Sequence, residues 1–207
     1  MSFRYYKITP LLILILVLAG AIDLGIYKFL VPILKEHNIE FLRAPGNVSI
    51  IASFLLLYDR LLWRVPIFDW LVSVPDMRGR YEGILTYNFN GEPGETSCYI
   101  EISQTSSKIK IHSYFQTEGK PDTSSKSLVE SIVEEDGFYH IYLYYFNSGS
   151  KENSELDCHE GANMLKFIPS TDDSKAKLIG HYFTSRKIQT KGKIEAEFKS
   201  KKLKGTF

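Results

Sequence analysis

The chain has 207 residues, and 25 Lys and Arg against 24 Asp and Glu leave a formal charge of +1. A balance so close to zero excludes binding of DNA or RNA by bulk positive charge, and 44% hydrophobic residues exclude a disordered chain. Residues 1–75 hold only seven of the basic and five of the acidic residues, and that division excludes a wholly soluble protein.

From Ile8 to Ile22 no residue is charged, and after Asp23 the apolar run resumes as far as Leu34. A second uncharged run goes from Ala44 to Tyr58 and continues past Asp59, Arg60 and Arg64 through VPIFDWLVSV. A spanning helix needs about 20 mostly apolar residues, so residues 1–75 are expected to form a transmembrane helical hairpin that turns near Phe41 and Leu42, with an interfacial segment after it. In that hairpin Asp23 and Arg60 fall at similar depth. Either they pair across the two helices, or each marks where its helix leaves the hydrocarbon. Arg4 and Lys7 precede the first span and Arg60, Arg64, Arg78 and Arg80 follow the second, which places both termini in the cytoplasm. Trp63 and Trp70 stand where an interfacial aromatic belt is expected. A rival reading takes LLILILVLAGA, ending at Ala19-Gly20-Ala21, as a cleaved secretory signal. The apolar stretch runs on past that site, and the C-terminal part stays cytosolic under either reading. Cys98 and Cys158, with no CxxC spacing, read as reduced core thiols.

Residues 76–207 carry no helix-length apolar periodicity. Short alternating stretches predict strands near 79–89, 96–104, 108–117, 126–134, 138–147, 160–168, 177–185 and 191–200. Turn-forming clusters separate them, among them Asn90-Gly91-Glu92-Pro93-Gly94, Glu135-Asp136-Gly137 and the polar stretch 147–154. The fold class expected is mostly β: a two-helix hairpin followed by a small eight-stranded antiparallel up-and-down β-barrel. A barrel is favoured over a two-sheet sandwich because closure removes edge strands.

Faces can be assigned at several strands. Tyr81, Gly83, Leu85, Tyr87 and Phe89 share one face of the first, and Arg80, Glu82, Thr86 and Asn88 take the other. Cys98, Ile100, Ile102 and Gln104 point inward from the second. Leu178, Gly180, Tyr182 and Thr184 point inward from the seventh, with Arg186 at the same phase just beyond. In the last strand Gly192, Ile194, Ala196 and Phe198 alternate with charged residues. The fifth, FYHIYLYYF, is apolar on both faces and has no readable orientation; its second face is free for a partner subunit or the membrane.

The domain shows no phosphate-binding loop, dinucleotide fingerprint, HExxH or nucleophile elbow, and nothing in it argues for an enzyme or a cofactor. His159 follows Cys158 directly, but adjacent strand residues face opposite ways, so no metal site is expected. An eight-stranded barrel either fills with side chains or holds one small ligand. On the ligand reading, Gly83, Gly180 and Gly192 remove bulk, Tyr81, Tyr87 and Tyr182 offer flat faces, and Gln104, Thr184 and Arg186 offer polar contacts. Those groups suit bases and phosphates. On the packing reading, the same tyrosines and glycines serve only the core and its curvature. The tail from Arg186 to Lys204 carries eight basic residues against Glu195 and Glu197, which reads as a solvated face or as a surface for anionic lipid.

Two N-terminal membrane helices precede a β-domain that opens with Arg78-Gly79-Arg80-Tyr81-Glu82-Gly83 and closes with the stretch Leu178–Arg186, then Thr190 and Gly192. This layout resembles the two-transmembrane, β-strand-rich effectors of bacterial cyclic-oligonucleotide anti-phage signalling (CBASS). The resemblance implies a multi-pass protein of the bacterial inner membrane whose barrel binds a cyclic dinucleotide. Binding would drive homo-oligomerisation against inner-membrane lipid and disrupt the membrane. Outside that family, a membrane-tethered lipocalin-like carrier or a partner-docking barrel would share the architecture.

Overall fold

In a computed structural model of the chain, the described residues are 2–36, 46–119, 121–149 and 158–206. They form two compact units: residues 1–75 with the turn Thr105–Lys108, and residues 76–104 with 109–207.

The first unit is helical. Helix α1 (Ile8–Gly25) runs through a π-helical stretch at Ile26–Leu30 into α2 (Val31–Glu36), and α3 spans Asn47–Arg60. Short 3₁₀ turns follow at Leu62–Arg64 and Pro66–Leu71. Only Leu11 of α1 is buried, while Leu12, Leu16, Val17 and Leu24 are exposed. A helix apolar on every side and unpacked on most of them has lipid as its natural solvent. Among the described residues α1 is the one helix long and apolar enough to cross a membrane. Helix α3, with 14 residues, covers about 21 Å against a hydrocarbon core of about 30 Å. The expected pair of spans is therefore one helix of spanning length and one shorter helix. The expected turn at Phe41 and Leu42 lies outside the described residues.

Tyr6 and Leu11 pack against Leu55, Tyr58 and Trp63, and this cluster sets the register of α1 on α3. Asp23 is thereby carried to the start of α3, where Asn47 Nδ2 donates to its Oδ1 at 2.6 Å. Arg60 sits exposed at the other end of α3, so the expected Asp23–Arg60 pair does not form. Asp59, rather than Arg60, is the buried charge; Ser106 Oγ donates to its Oδ1 at 2.7 Å, with the Tyr6 hydroxyl 2.6 Å from the same Oγ. Trp63 is 3% exposed within the cluster and is no part of an interfacial belt, whereas Trp70 is exposed.

The second unit is a closed antiparallel barrel of strands β1 (Gly79–Phe89), β2 (Glu92–Gln104), β3 (Ile109–Gln116), β4 (Thr123–Glu135), β5 (Phe138–Asn147), β6 (His159–Ile168), β7 (Lys177–Thr184) and β8 (Lys191–Ser200). Each strand pairs with the next and β8 pairs back onto β1. Asn90-Gly91 and Asp136-Gly137, all with positive φ, make the tight two-residue hairpins that such pairs favour. Leu128 has no partner in the β4–β5 ladder, so the inward phase of β4 shifts from Ser125 and Ser127 to Ile132. The β3–β4 ladder is short, joining only His112–Phe115 to Thr123–Lys126. Below it, Ser127 Oγ takes the Ile111 N–H at 2.9 Å, and Lys110 Nζ meets Glu130 Oε1 at 2.8 Å.

The inward faces expected for β1, β2, β7 and β8 are those observed. In β5, Ile141, Leu143, Tyr145 and Asn147 turn inward, leaving Tyr144 and Phe146 exposed. Cys98 is fully buried, and burial pushes its thiol up to about 12; Cys158 is exposed and no core thiol. The inward glycines do not create space. A Cβ at Gly180 would lie 1.9 Å from Met164 O, and at Gly83 2.0 Å from Glu195 O. They allow neighbouring backbones to close up.

On the outer face, Arg80 is nonetheless completely buried. Its Nε donates to Glu82 Oε1 and its Nη1 to Glu101 Oε1, both at 2.9 Å, and Nη1 also reaches Thr206 O at 2.6 Å. Glu101 takes the Lys204 N–H at 2.7 Å, so the C-terminal tail is strapped over this ion pair. Burial alone would raise the Glu101 carboxyl; the Lys204 N–H and Arg80 overcome it and hold it below the usual range. Lys201 meets Asp76 at 3.1 Å and Lys204 meets Glu82 at 3.9 Å, so part of the basic tail faces the barrel's own carboxylates.

Candidate functional site

Up-and-down topology sorts the interior by height. Odd strands run towards one end and even strands away from it, so the C-terminal halves of β1, β3, β5 and β7 meet the N-terminal halves of β2, β4, β6 and β8. At the opposite end Ile102, Ile109, Ile141, Leu165, Leu178 and Ala196, each at most 3% exposed, fill the bore. At this end the inward residues turn aromatic and polar, and a cavity of about 280 Å³ opens. That is close to the lower bound for small-molecule sites, roughly 300 Å³.

Of the residues expected to contact a ligand, Tyr87, Tyr182, Thr184 and Arg186 line this cavity. Tyr81 and Gln104 do not. They lie at the filled end, where the Tyr81 hydroxyl donates to Met77 O and Gln104 Oε1 accepts the Met77 N–H, each at 2.9 Å. Both have the inward phase, and their height along the barrel separates them from the cavity.

The aromatic side chains are placed by glycines. Tyr87 stands opposite Gly94 and Tyr145 opposite Gly161 in the ladders. A Cβ at Gly94 would come within 2.4 Å of the Tyr87 ring, and one at Gly161 within 2.3 Å of the Tyr145 hydroxyl. Burial pushes the Tyr145 phenol up to about 12, against the opposing pull of Arg186, and burial also raises Tyr182. Both therefore stay neutral at physiological pH. Arg186 Nη2 lies 2.9 Å from His159 Nδ1, and among the described residues no Asp, Glu or Lys lines the cavity.

Several wall residues are spent on one another. Thr184 Oγ1 accepts the Thr190 N–H at 2.9 Å, and Thr117 Oγ1 donates to Thr96 Oγ1 at 2.6 Å. Asn147 Nδ2 donates to Ser125 Oγ at 2.9 Å while its Oδ1 takes the Gly149 N–H at 2.8 Å. Tyr145, Asn147, Asn163, Ser113 and His159 line the cavity and were not anticipated. The signal that could have found them is polar residues at the inward phase on the half of each strand that points to this end.

A cavity ringed by hydroxyls, amides, flat phenols and a guanidinium suits a ligand with bases and phosphates better than an aliphatic one. A family model described as Cap15, cyclic dinucleotide receptor domain, matches residues 72–197, which takes in β1 to β7 and most of β8. No curated protein matches the chain.

Proposed function

The chain belongs to the family of the Cap15 cyclic dinucleotide receptor domain, a family of CBASS membrane effectors, and on that premise we propose that the barrel cavity is the receptor site and that its occupancy drives the anchored chains to assemble and disrupt the inner membrane. The observation that carries this reading is the lining itself: Tyr87, Tyr145 and Tyr182 around Arg186, with no carboxylate among the described lining residues. A guanidinium offers forked, charge-assisted donors to a phosphate, and neutral phenols offer stacking faces to bases.

Assembly follows from anchoring. Helix α1 inserted in the inner membrane confines the barrels to two dimensions and raises their effective concentration. The ligand then needs only a modest preference for the assembled state. The surface we assign to a second copy is the outer face of β4–β7. There Val129, Tyr144, Ala162 and Phe183 stand side by side in the ladders, and Val129, Tyr144 and Phe183 are 63%, 41% and 51% exposed. Together they make one contiguous exposed apolar patch on the order of a few hundred Å², the size at which a surface patch becomes a candidate interaction site. It falls short of the roughly 800 Å² per partner typical of a stable complex, which fits an association that waits for ligand and tether.

The test uses the full chain in detergent or in vesicles of phosphatidylethanolamine and phosphatidylglycerol. Calorimetry against a panel of cyclic dinucleotides, with a fatty acid as control, should find saturable binding to a cyclic dinucleotide alone. Arg186→Ala should weaken it about 10- to 100-fold, the worth of a charge-assisted hydrogen bond or two. Dye release from the vesicles should require that ligand. Equal affinity in Arg186→Ala, or preference for the fatty acid, would refute the proposal.

A further inference from the structure

The cavity wall holds two asparagines, and the barrel treats them differently. Asn147 is 4% exposed and has both ends of its amide engaged, as described above. Asn163 is 8% exposed and lines the same cavity, yet its Oδ1 is buried without a hydrogen bond. Among the described residues it is the one buried side-chain oxygen so left. Buried polar atoms in native proteins are nearly always paired, so an orphan calls for a specific cause. Leucine, with the same number of side-chain heavy atoms, would sit in this strand without that penalty.

Asn163 stands deep in the cavity. Its ladder neighbours are Leu143 and Tyr182, and Leu85 and Ile194 line the cavity with them. Arg186, beyond the end of β7, marks the mouth. An amide presents an acceptor and a donor side by side, the pattern that pairs with the edge of a nucleobase. A base stacked against the Tyr182 face would bring its edge to the neighbouring Asn163. The barrel is a single chain with no two-fold axis through its bore, so it offers one such amide and one such guanidinium.

We propose that Asn163 is the specificity-determining residue: it reads the hydrogen-bonding edge of one base of the cyclic dinucleotide at the cavity floor, while the second base lies towards the mouth and is not read. This rests on the assignment of the cavity as the cyclic dinucleotide site. A cavity built to hydrogen-bond one group discriminates strongly against ligands that present another, because the amide is then left unpaired.

The experiment is calorimetry on the full chain in detergent with cyclic di-adenosine, di-guanosine and di-uridine monophosphates and the mixed ligands of the same bases. The wild type should separate the best and worst symmetric ligands by at least about 10-fold. A mixed ligand carrying the preferred base once should bind within about 3-fold of the symmetric one, since one base is read. Asn163→Leu should compress the whole spread to within about 3-fold and leave or raise the melting temperature, as removal of an orphaned amide predicts. Asn163→Thr, suited to a strand, supplies the same readout should the leucine variant misfold. Arg186→Ala should weaken all ligands alike and preserve their order. An undiminished spread in both Asn163 variants, or a mixed ligand as weak as the worst symmetric one, overturns the role of Asn163 and leaves the cavity assignment standing. No binding of any cyclic dinucleotide by the wild type overturns both.

Discussion

Replacing Arg80 by Met removes the centre of the ion pair beneath the C-terminal strap. Arg80 and Glu101 have side chains 0% and 5% exposed, so the change strands a carboxylate out of water. Breaking one side of a buried pair costs about 3–5 kcal/mol. The guanidinium also lies 4.6 Å from the Tyr99 ring, a contact worth about 1 kcal/mol. Against this, Arg80 Nη2 is buried without a partner, and its removal returns about 1 kcal/mol or more. The Lys204 and Gly205 N–H groups continue to solvate Glu101, which favours the lower end, about 3 kcal/mol net. A barrel of this size loses roughly 3–5 °C per kcal/mol, so far-UV circular dichroism on the full chain in detergent should show a melting point lower by about 10–15 °C. Arg80→Met with Glu101→Leu should recover most of that loss, because the pair as a whole contributes little over an apolar replacement. A single variant that melts within about 3 °C of wild type would show that the stranded carboxylate is solvated and refute the accounting.

Further outcomes follow from the barrel. Burial would raise Asp76, but the Arg78 hydrogen bonds and Lys201 outweigh it and lower its carboxyl to about 2 from an ordinary 3.8. A depressed folded value stabilises above the ordinary pKa and loses that contribution as pH falls from about 4 to 2; melting temperatures across that window should fall more steeply for wild type than for Asp76→Asn. Gly180→Ala drives a Cβ to 1.9 Å from Met164 O, and backbone must move to admit it. A loss of about 3 kcal/mol or more is expected, read as a lower urea midpoint at unchanged slope; a loss under about 1 kcal/mol would mean that the β6–β7 approach relaxes freely.

The strands were legible because period-2 alternation and turn residues agree with the ladder in most of the domain. The last strand shows it best, with Ile194 and Ala196 buried between exposed Lys193, Glu195 and Glu197. FYHIYLYYF was not legible: aromatic residues on its outer face erase the contrast that alternation depends on. Leu128 defeats a fixed phase, since one unpaired residue exchanges inside for outside. Part of the cavity lining is legible for a similar reason. Phase identifies Tyr87, Tyr182, Thr184 and Arg186, but Tyr81 shares the phase of Tyr87 and is separated from the cavity only by height. Chain direction supplies that height, since polar inward residues matter on the late half of odd strands and the early half of even ones. Alternation places Arg80 on the outer face of β1, and nothing local to that strand announces the tail that covers it. A turn near Phe41 and Leu42 puts Asp23 level with Arg60, as a pair or as two helix ends, whereas the packing of Leu11 and Leu55 brings Asp23 to Asn47.

The short β3–β4 ladder bears on how the barrel breathes. Where backbone pairing stops at His112 and Lys126, a serine hydroxyl and one lysine–glutamate bridge continue the join. Local opening begins where the fewest backbone bonds must break together, so this seam is the first wall to loosen. Ser113, on β3, and Ser125 and Ser127, on β4, face the cavity from its two sides. A ligand in contact with both strands therefore acts as a staple: it closes a gap that the fold leaves partly unstitched. On the proposed reading, rigidity gained along that line would distinguish occupied from empty barrels at the outer surface, where β4 also carries Val129.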